Sequence, residues 1–211
     1  MGKLIVLEGI DGSGKSTQFR ILTERLRAAG TEFATVSFPR YDDASSALIK
    51  MYLGGEFGNR PGDVNAYAAS TLFAVDRFAS YKREEWGRHY DNGGLVVMDR
   101  YTTSNAVHQG AKLDKADRRA FFRWLYDFEF RLIGLPKPDM VIYMDIDAET
   151  SIKRLGDRPG AEDIHERDAD YLRSCAECAG QAAQEYGWIC VDAAHDLETV
   201  SAEIESIFRF Y

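Results

Sequence analysis

The chain has 211 residues, with 26 Lys and Arg against 34 Asp and Glu, so its formal net charge at neutral pH is −8. This acidic balance argues against a nucleic acid or an anionic membrane as partner. No apolar run approaches the ~20 residues that a membrane-spanning helix needs, and the first predicted strand begins too early for a signal peptide to precede it. The sequence therefore predicts a cytoplasmic protein in which residues 1–211 form a single domain with a sizeable core.

A phosphate-loop pattern, G-x-x-x-x-G-K-S/T, occupies residues 9–16. It lies between an apolar run over 3–7, typical of a buried parallel strand that ends at Glu8, and a helix predicted over 16–29 from its apolar spacing. Glycines let the backbone N–H groups turn inward and form an anion cradle with the helix N-terminus. The residues predicted to bind a nucleoside triphosphate here are Gly9, Asp11, Gly12, Ser13, Gly14, Lys15, Ser16 and Thr17.

Within this loop, Lys15 is expected to reach the β- and γ-phosphates, and the hydroxyl of Ser16 is expected to ligate Mg²⁺. Four later apolar runs predict further strands, and helical patterns separate them. The predicted strands cover 33–38, 95–98, 140–144 and 188–191, and the predicted helices cover 44–53, 65–90, 115–132, 148–155, 167–186 and 197–208. Strands that alternate with helices indicate an α/β fold, a five-stranded parallel sheet flanked by helices on both faces.

Charged residues follow the strands at the edge of the sheet where ligands bind in such folds. Asp99 ends the third strand, as the acidic residue that positions Mg²⁺ does in phosphate-loop proteins, and Arg100 beside it can bind a phosphate through paired N–H groups. The alternative is an ordinary strand-end Asp that caps a helix. On the long helix, Phe73 and Arg77 share a face and offer a ring for stacking and a planar set of donors. Spacing alone leaves open a core Phe beside a surface Arg.

Five motifs follow one another along the chain: residues 9–17, 38–41, 72–77, 99–101 and 104–105. Their order and spacing resemble the thymidylate kinase family, and the likeness spans most of the chain. The resemblance implies transfer of the γ-phosphoryl group of ATP to the 5′-phosphate of dTMP, with Mg²⁺ as cofactor. The expected partners are the small molecules dTMP and ATP and a second copy of the chain in a homodimer, with neither nucleic acid nor membrane.

The resemblance also implies roles for residues that bind the acceptor. In that family, the residue matching Phe73 stacks on thymine and the one matching Arg77 hydrogen-bonds its O4. The position of Asn105 lies beside the base, and the Asp matching Asp11 approaches the 3′-hydroxyl of the sugar. The full set implied to bind the acceptor is Asp11, Phe38, Arg40, Tyr41, Phe73, Arg77, Arg100, Ser104, Asn105 and His108.

Within that set, Arg40, Tyr41 and Arg100 match residues that hold the acceptor phosphate. Arg154 matches a residue that lies against adenine, and Glu166 matches a carboxylate near the metal and the phosphates. The metal site implied by motif and resemblance therefore combines Ser16, Asp99 and Glu166.

Residues 156–166 resemble the mobile lid of the family. Some members place an Arg inside the phosphate loop and others supply it from the lid; here positions 10–13 hold no Arg. Arg158, in a segment with a glycine at each end, is therefore expected to carry the cation over the phosphates. The alternative is a plain surface turn. The predicted catalytic residues are Asp11, Lys15, Arg100 and Arg158.

His108 departs from the family, whose members usually carry Tyr or Phe near the sugar. Imidazole is smaller and can pair with a hydroxyl, so weaker discrimination against a ribonucleotide is expected. An ordinary pKa of ~6.5 would let His108 gain charge as pH falls and bind the acceptor more tightly. His165, in the lid segment, is a further candidate for contact with the ligand.

Two other functions are alternatives for this sequence. A GTP-dependent switch protein needs the guanine-reading pattern N/T-K-x-D after a strand, but the stretch over 136–139 begins with Pro136 and precedes its strand. A kinase for another nucleoside monophosphate or a deoxynucleoside is the nearer alternative.

Cys175 and Cys178 have no second pair to complete a metal or redox site, so packing is the favoured interpretation of both thiols.

Overall fold

In the computed structural model, the described residues are 1–156, 165 and 168–209. Five parallel strands form one sheet in the order β2-β3-β1-β4-β5. The strands are β1 (Lys3–Glu8), β2 (Phe33–Ser37), β3 (Leu95–Asp99), β4 (Met140–Asp145) and β5 (Ile189–Asp192). This arrangement confirms the predicted α/β fold with a five-stranded parallel sheet.

The burial of each strand follows from its place in the sheet. The central strand β1 is buried from Leu4 to Glu8, because β3 and β4 pair with it on either side and helices cover both faces. The outer strands β2 and β5 are less buried, because each pairs with a neighbouring strand on one side only. The register pairs Leu7 with Asp99 of β3 and with Ile142 of β4, so the three strands end at the same edge of the sheet, within about three residues of one another.

The helices connect the strands and pack against the sheet. They are α1 (Lys15–Ala28), α2 (Ala47–Leu53), α3 (Ala66–Arg83), α4 (Glu85–Asp91), α5 (Thr102–His108), α6 (Arg118–Tyr126), α7 (Ala148–Gly156), α8 (Ala169–Tyr186) and α9 (Leu197–Arg209). Short 3₁₀ turns occupy Ala44–Ser46, Pro61–Asp63 and Gly110–Lys112, and α6 continues as a π-helix over Asp127–Leu132. None of the helices in the described ranges combines the length and apolar character needed to cross a membrane.

Two predicted helices differ from the structure. The helix expected over 65–90 is two helices, because Glu84 is extended (φ −88°, ψ 163°) and ends α3. Helix α4 then approaches the end of α3 so closely that a Cβ on Gly87 would lie 2.0 Å from the carbonyl oxygen of Tyr81. The helix expected over 115–132 begins at Arg118 and widens into the π-helix.

Helix α5 is absent from the sequence-based prediction because its sequence is short and polar. Buried hydrogen bonds stabilise it instead: the hydroxyls of Thr103 and Ser104 donate to the Glu8 carboxylate at 2.6 and 2.7 Å. Glu8 is fully buried at the end of β1, where its other oxygen accepts from the Gly9 amide at 2.9 Å. This carboxylate thus ties α5 to the start of the phosphate loop.

Candidate active site

The phosphate loop leaves β1 and enters α1 in the form that an anion cradle requires. Gly12 and Gly14 have positive φ angles of 79° and 86°, which glycine adopts without strain. A Cβ on Gly12 would also lie 2.6 Å from the backbone oxygen of Ser151 on α7. In the described part of the chain no side chain caps the N-terminus of α1, so the N–H groups of Lys15 and Ser16 at its start are available to an anion.

The side chains of the loop divide between the interior and the surface. Lys15 is buried and its ammonium contacts the carboxylate of Asp99 at the end of β3. Burial lowers the pKa of Lys15, and the positive charge of Arg100 lowers it further. Ser16 and Thr17 are exposed, whereas the Ser13 hydroxyl is buried without a hydrogen-bond partner among the described residues.

A cavity opens beside the phosphate loop, between α3 and α5. Its lining joins aromatic side chains with hydrogen-bonding and charged groups, which is typical of a small-molecule site. The phosphate loop contributes Asp11 and the end of β3 contributes Arg100, so the cavity and the loop meet at these two residues. The lining residues are Asp11, Phe38, Pro39, Tyr41, Leu53, Phe73, Arg77, Arg100, Tyr101, Ser104, Asn105, His108, Gln109 and His165.

Arg100 forms an ion pair with Asp11 where cavity and loop meet. Its backbone is in the left-handed region (φ 64°), and its amide donates to the carbonyl of Leu7 at 3.1 Å. Burial alone would raise the pKa of Asp11, but the charge of Arg100, together with smaller contributions from Lys15 and the neighbouring histidines, outweighs burial and holds that pKa well below its usual range. Burial alone would lower the pKa of Arg100, but Asp11 and Glu8 raise it. Both groups are therefore charged at neutral pH.

A second ion pair lies at the far end of the cavity. Arg77 is 2% exposed and binds the Glu129 carboxylate through Nε (2.8 Å) and Nη2 (2.6 Å). Asn105 donates from Nδ2 to the same carboxylate at 3.2 Å and to the carbonyl of Ser70 at 3.1 Å. Phe73 lies beside these groups on α3 and presents a ring to the cavity. This end of the site therefore combines a flat apolar surface with fixed polar groups.

Two histidines stack in the cavity wall. The rings of His108 and His165 lie 5.8 Å apart and are nearly parallel, and Nε2 of His108 lies 3.0 Å from Nη1 of Arg100. Burial lowers the pKa of His108 to about 4 and that of His165 to about 3. The expectation of an ordinary pKa for His108 is therefore wrong, because the buried ring faces Arg100. Its Nε2 accepts from that cation and is engaged before any sugar hydroxyl arrives.

The structure brings most of the expected acceptor-binding residues to one cavity but not Arg40. The guanidinium of Arg40 turns toward Glu84, with Nε 3.0 Å from Oε1, and toward Asp43. Its backbone amide donates to the buried Asp76 at 2.8 Å, which fixes the loop that carries Tyr41 into the cavity. Arg40 can therefore reach the cavity only if its side chain leaves Glu84.

On the donor side, α7 packs against the phosphate loop, because the Ser151 hydroxyl donates to the carbonyl of Asp11. Arg154 lies on the same helix with an exposed side chain and donates to the carbonyl of Ala193 at 3.2 Å. Arg158 and Glu166 lie outside the described residues, as does most of the expected lid over 156–166. Their roles stay predictions.

The cysteines and the acidic residues form no metal cluster within the described ranges, where no group of three or more His, Cys, Asp or Glu side chains could hold an ion. Cys175 and Cys178 are buried free thiols on α8, and burial raises the pKa of both.

Three residues of the site, Leu53, Gln109 and Glu129, were not predicted from the sequence. Gln109 lines the cavity and is 1% exposed, and its Oε1 has no hydrogen-bond partner in the described part of the chain. Glu129 does not line the cavity itself but accepts two hydrogen bonds from Arg77, which does. A signal for Glu129 was present, since a lone carboxylate between Phe128 and Phe130 in a predicted core helix needs a buried partner.

Comparison with known proteins identifies the family of this chain. The family model described as thymidylate kinase matches residues 7–204. A thymidylate kinase of Mycobacterium tuberculosis is 38% identical over 95% of this chain and 96% of its own length. The human thymidylate kinase is 30% identical over 96% of this chain and 88% of its own length. That of Caenorhabditis elegans is 30% identical over 100% of this chain and 90% of its own. The chain belongs to the thymidylate kinase family.

Proposed function

We propose that the chain transfers the γ-phosphoryl group of Mg²⁺-ATP to the 5′-phosphate of dTMP and releases dTDP and ADP. The observation that carries this proposal is the meeting of the phosphate loop and the polar aromatic cavity at Asp11 and Arg100. A triphosphate in the loop and a monophosphate at this end of the cavity would have their reacting groups at the same point. Phosphoryl transfer depends chiefly on such alignment and on the neutralisation of charge.

On the acceptor side, Phe73 would stack on the base while Arg77, Asn105 and Gln109 would hydrogen-bond its edge. The unpartnered Oε1 of Gln109 supports this arrangement, because a buried acceptor without a donor costs stability unless a ligand supplies one. Tyr41 and Arg100 would hold the acceptor phosphate. Arg40 would also bind this phosphate once its guanidinium releases Glu84.

On the donor side, Lys15 and the first N–H groups of α1 would hold the β- and γ-phosphates. The residues present fit Mg²⁺, because the exposed Ser16 hydroxyl adjoins the cradle and Asp99 is the carboxylate closest to Lys15. When bound, Mg²⁺ would neutralise the charge that develops on the phosphates. Asp99 would accept hydrogen bonds from water on the metal, and Arg154 would lie against adenine.

The expected lid, Arg158 and Glu166 belong to the same proposal. Arg158 would offset charge on the transferring group, and Glu166 would lie near the metal. The proposal is supported on the sequence side by the absence of any Arg at positions 10–13. Lys15 is the only cation in the phosphate loop, so a second cation has to come from another segment. Arg158 in the lid segment is the residue that the family pattern assigns to this role.

We further infer a homodimer of single-domain subunits in the cytoplasm. Exposed apolar side chains on one face of α3 support the dimer: Tyr67, Val75 and Phe78 are 42%, 57% and 40% exposed. Apolar groups concentrated in this way favour contact between proteins. A main apolar core that packs around a single sheet supports one domain, with only a small second cluster at Tyr52 and Ala69. The three free thiols are consistent with a reducing compartment.

The proposal is tested by the release of ADP from Mg²⁺-ATP with a panel of acceptors: dTMP, dUMP, dCMP, dAMP, dGMP and thymidine. We expect dTMP and dUMP to be accepted and kcat/KM for dCMP to be lower than for dTMP by ~10³-fold or more, because unpaired buried donors are costly. A kcat/KM for dCMP within tenfold of that for dTMP would contradict the assigned base contacts. A higher kcat/KM for thymidine than for dTMP would show that the substrate is a nucleoside.

A further inference from the structure

Glu129 is a fully buried carboxylate on which the polar groups at the base end of the cavity converge. It lies in the π-helix after α6 and is 0% exposed. Its two oxygens accept from Nε and Nη2 of Arg77, from the hydroxyl of Thr102 at 2.6 Å and from Nδ2 of Asn105 at 3.2 Å. Glu129 itself does not line the cavity, whereas Arg77 and Asn105 do.

The hydrogen bonds to Asn105 fix the direction of its amide. Nδ2 lies between two acceptors, the carboxylate of Glu129 and the carbonyl of Ser70. A flipped amide would place Oδ1 against both acceptors, where no hydrogen bond can form. Oδ1 accepts no hydrogen bond from the described residues in the present orientation. Asn105 therefore offers the cavity an acceptor and not a donor.

The same carboxylate fixes the guanidinium of Arg77. Nε and Nη2 form two parallel bonds with Glu129, and Nη1 lies 3.4 Å from the carbonyl of Tyr101. Such a bidentate pair sets the plane of the group as well as its position. Each terminal nitrogen of Arg77 keeps one further N–H group, and Arg77 lines the cavity, so it can offer donors to a ligand there.

We propose that Glu129 is a positioning residue that determines which pyrimidine the site accepts, by holding Arg77 as a donor and Asn105 as an acceptor. Thymine and uracil complement this pair with a carbonyl oxygen beside an N–H group, whereas cytosine presents an amine beside an unprotonated nitrogen. This inference rests on the proposed function, because it places a pyrimidine base at this end of the cavity. The π-helix serves the arrangement, since such a local widening is frequent at functional sites.

The test is Glu129→Gln, assayed with dTMP and dCMP as acceptors. One oxygen becomes an amide that cannot accept, so the Asn105 amide is free to turn and Arg77 loses one of its paired bonds. We expect the ratio of kcat/KM for dTMP to that for dCMP to fall at least ~30-fold, mainly through a higher KM for dTMP. The KM for ATP should stay within about twofold, because the phosphate loop is not touched.

The matched control is Glu8→Gln. Glu8 is also a fully buried carboxylate that binds hydroxyls of α5, but it does not contact Arg77 or Asn105. A purely structural role for Glu129 would lower kcat/KM for both acceptors alike, in either variant. We expect the dTMP to dCMP ratio to change in Glu129→Gln and to stay within about threefold of the wild type in Glu8→Gln.

Glu129→Gln leaves a buried Arg77 without a full countercharge and could fail to fold. Glu129→Asp keeps the charge but shortens the reach to Asn105, and it should reduce the same ratio about tenfold. A folded variant with the wild-type ratio would overturn the inference while dTMP kinase activity of the wild type still stands. A wild-type chain that fails to phosphorylate dTMP would instead overturn the proposed function.

Discussion

Lys15 and Asp99 form a largely buried ion pair across the gap between the phosphate loop and the end of β3. Their side chains are 5% and 15% exposed, and the ammonium contacts the Oδ1 atom directly. The pair neutralises two charges that the proposed reaction needs separately. Lys15 has to turn to the phosphates and Asp99 to the hydration shell of the metal, so ligand binding must separate the two groups.

The first prediction concerns the metal. Asp99→Asn should raise the Mg²⁺ concentration for half-maximal activity about tenfold and lower kcat, because an amide holds metal-bound water less firmly than a carboxylate. The measurement is ADP release across a Mg²⁺ titration at saturating ATP and dTMP. Asp192→Asn is the control, since Asp192 also ends a strand but has an exposed side chain that accepts from the Ala194 amide. An unchanged Mg²⁺ requirement in Asp99→Asn would exclude a role for Asp99 at the metal.

Much of the fold and of the loop could be predicted because these depend on local patterns. The buried strands are apolar runs, and the loop between β1 and α1 has a fixed pattern of glycines and Lys15. The edge of the sheet where Asp99 and Arg100 lie then follows from the parallel arrangement. The family resemblance supplied most of the remaining cavity residues.

The parts that could not be predicted depend on contacts between distant segments. Helix α5 has a polar sequence. It forms because the Glu8 carboxylate, nearly a hundred positions away, accepts hydrogen bonds from the hydroxyls of the helix. Arg40 follows a strand as expected, but Glu84 holds its side chain outside the cavity. The low pKa of His108 arises from burial and from Arg100, which no local pattern reports. Propensity is a weak guide where tertiary contacts decide.

The second prediction concerns the lid. Arg158→Ala should lower kcat by up to ~10³-fold and change the KM for ATP or dTMP much less, because the charge that Arg158 would offset develops only during transfer. Steady-state kinetics with each nucleotide varied in turn provide the measurement. Arg119→Ala is the control, since Arg119 is 71% exposed and pairs with Glu185 on α8. A loss below about fivefold would indicate that another cation, such as Lys153 or Arg154, supplies the charge.

The third prediction concerns the dimer. Val75→Glu should convert the chain from dimer to monomer at ~10 μM, because a charge at the centre of an apolar interface is left unpaired. Light scattering coupled to size-exclusion chromatography measures the mass. Leu197→Glu places the same charge on a comparably exposed side chain, 47%, at the start of α9 and should leave the dimer intact. A monomeric wild type would contradict the proposed dimer. A Val75→Glu variant that remains a dimer would show that the interface does not lie on this face of α3.

The last prediction concerns His108 and pH. In the unfolded chain a histidine binds its proton near pH ~6.5, whereas His108 in the folded chain does so only near pH 4. Between these values the unfolded state binds a proton that the folded state does not, so stability falls as pH falls. The groups around the ring have opposing effects on its pKa. Asp11 favours the charged form, but burial, Arg100 and His165 together oppose it more strongly.

With a folded-state pKa of about 4, His108 alone should lower the free energy of unfolding by about 2 kcal/mol when the pH falls from 7.5 to 5.0. His108→Tyr removes this contribution while it keeps a ring in place, so its loss of stability over the same range should be smaller by about 2 kcal/mol. Urea unfolding at the two pH values measures the difference. His195→Gln is the control, because His195 is 58% exposed and should leave the wild-type loss unchanged. Equal losses in the wild type and in His108→Tyr would show that His108 keeps an ordinary pKa in the folded chain, and the cation of Arg100 could not then lie against its ring.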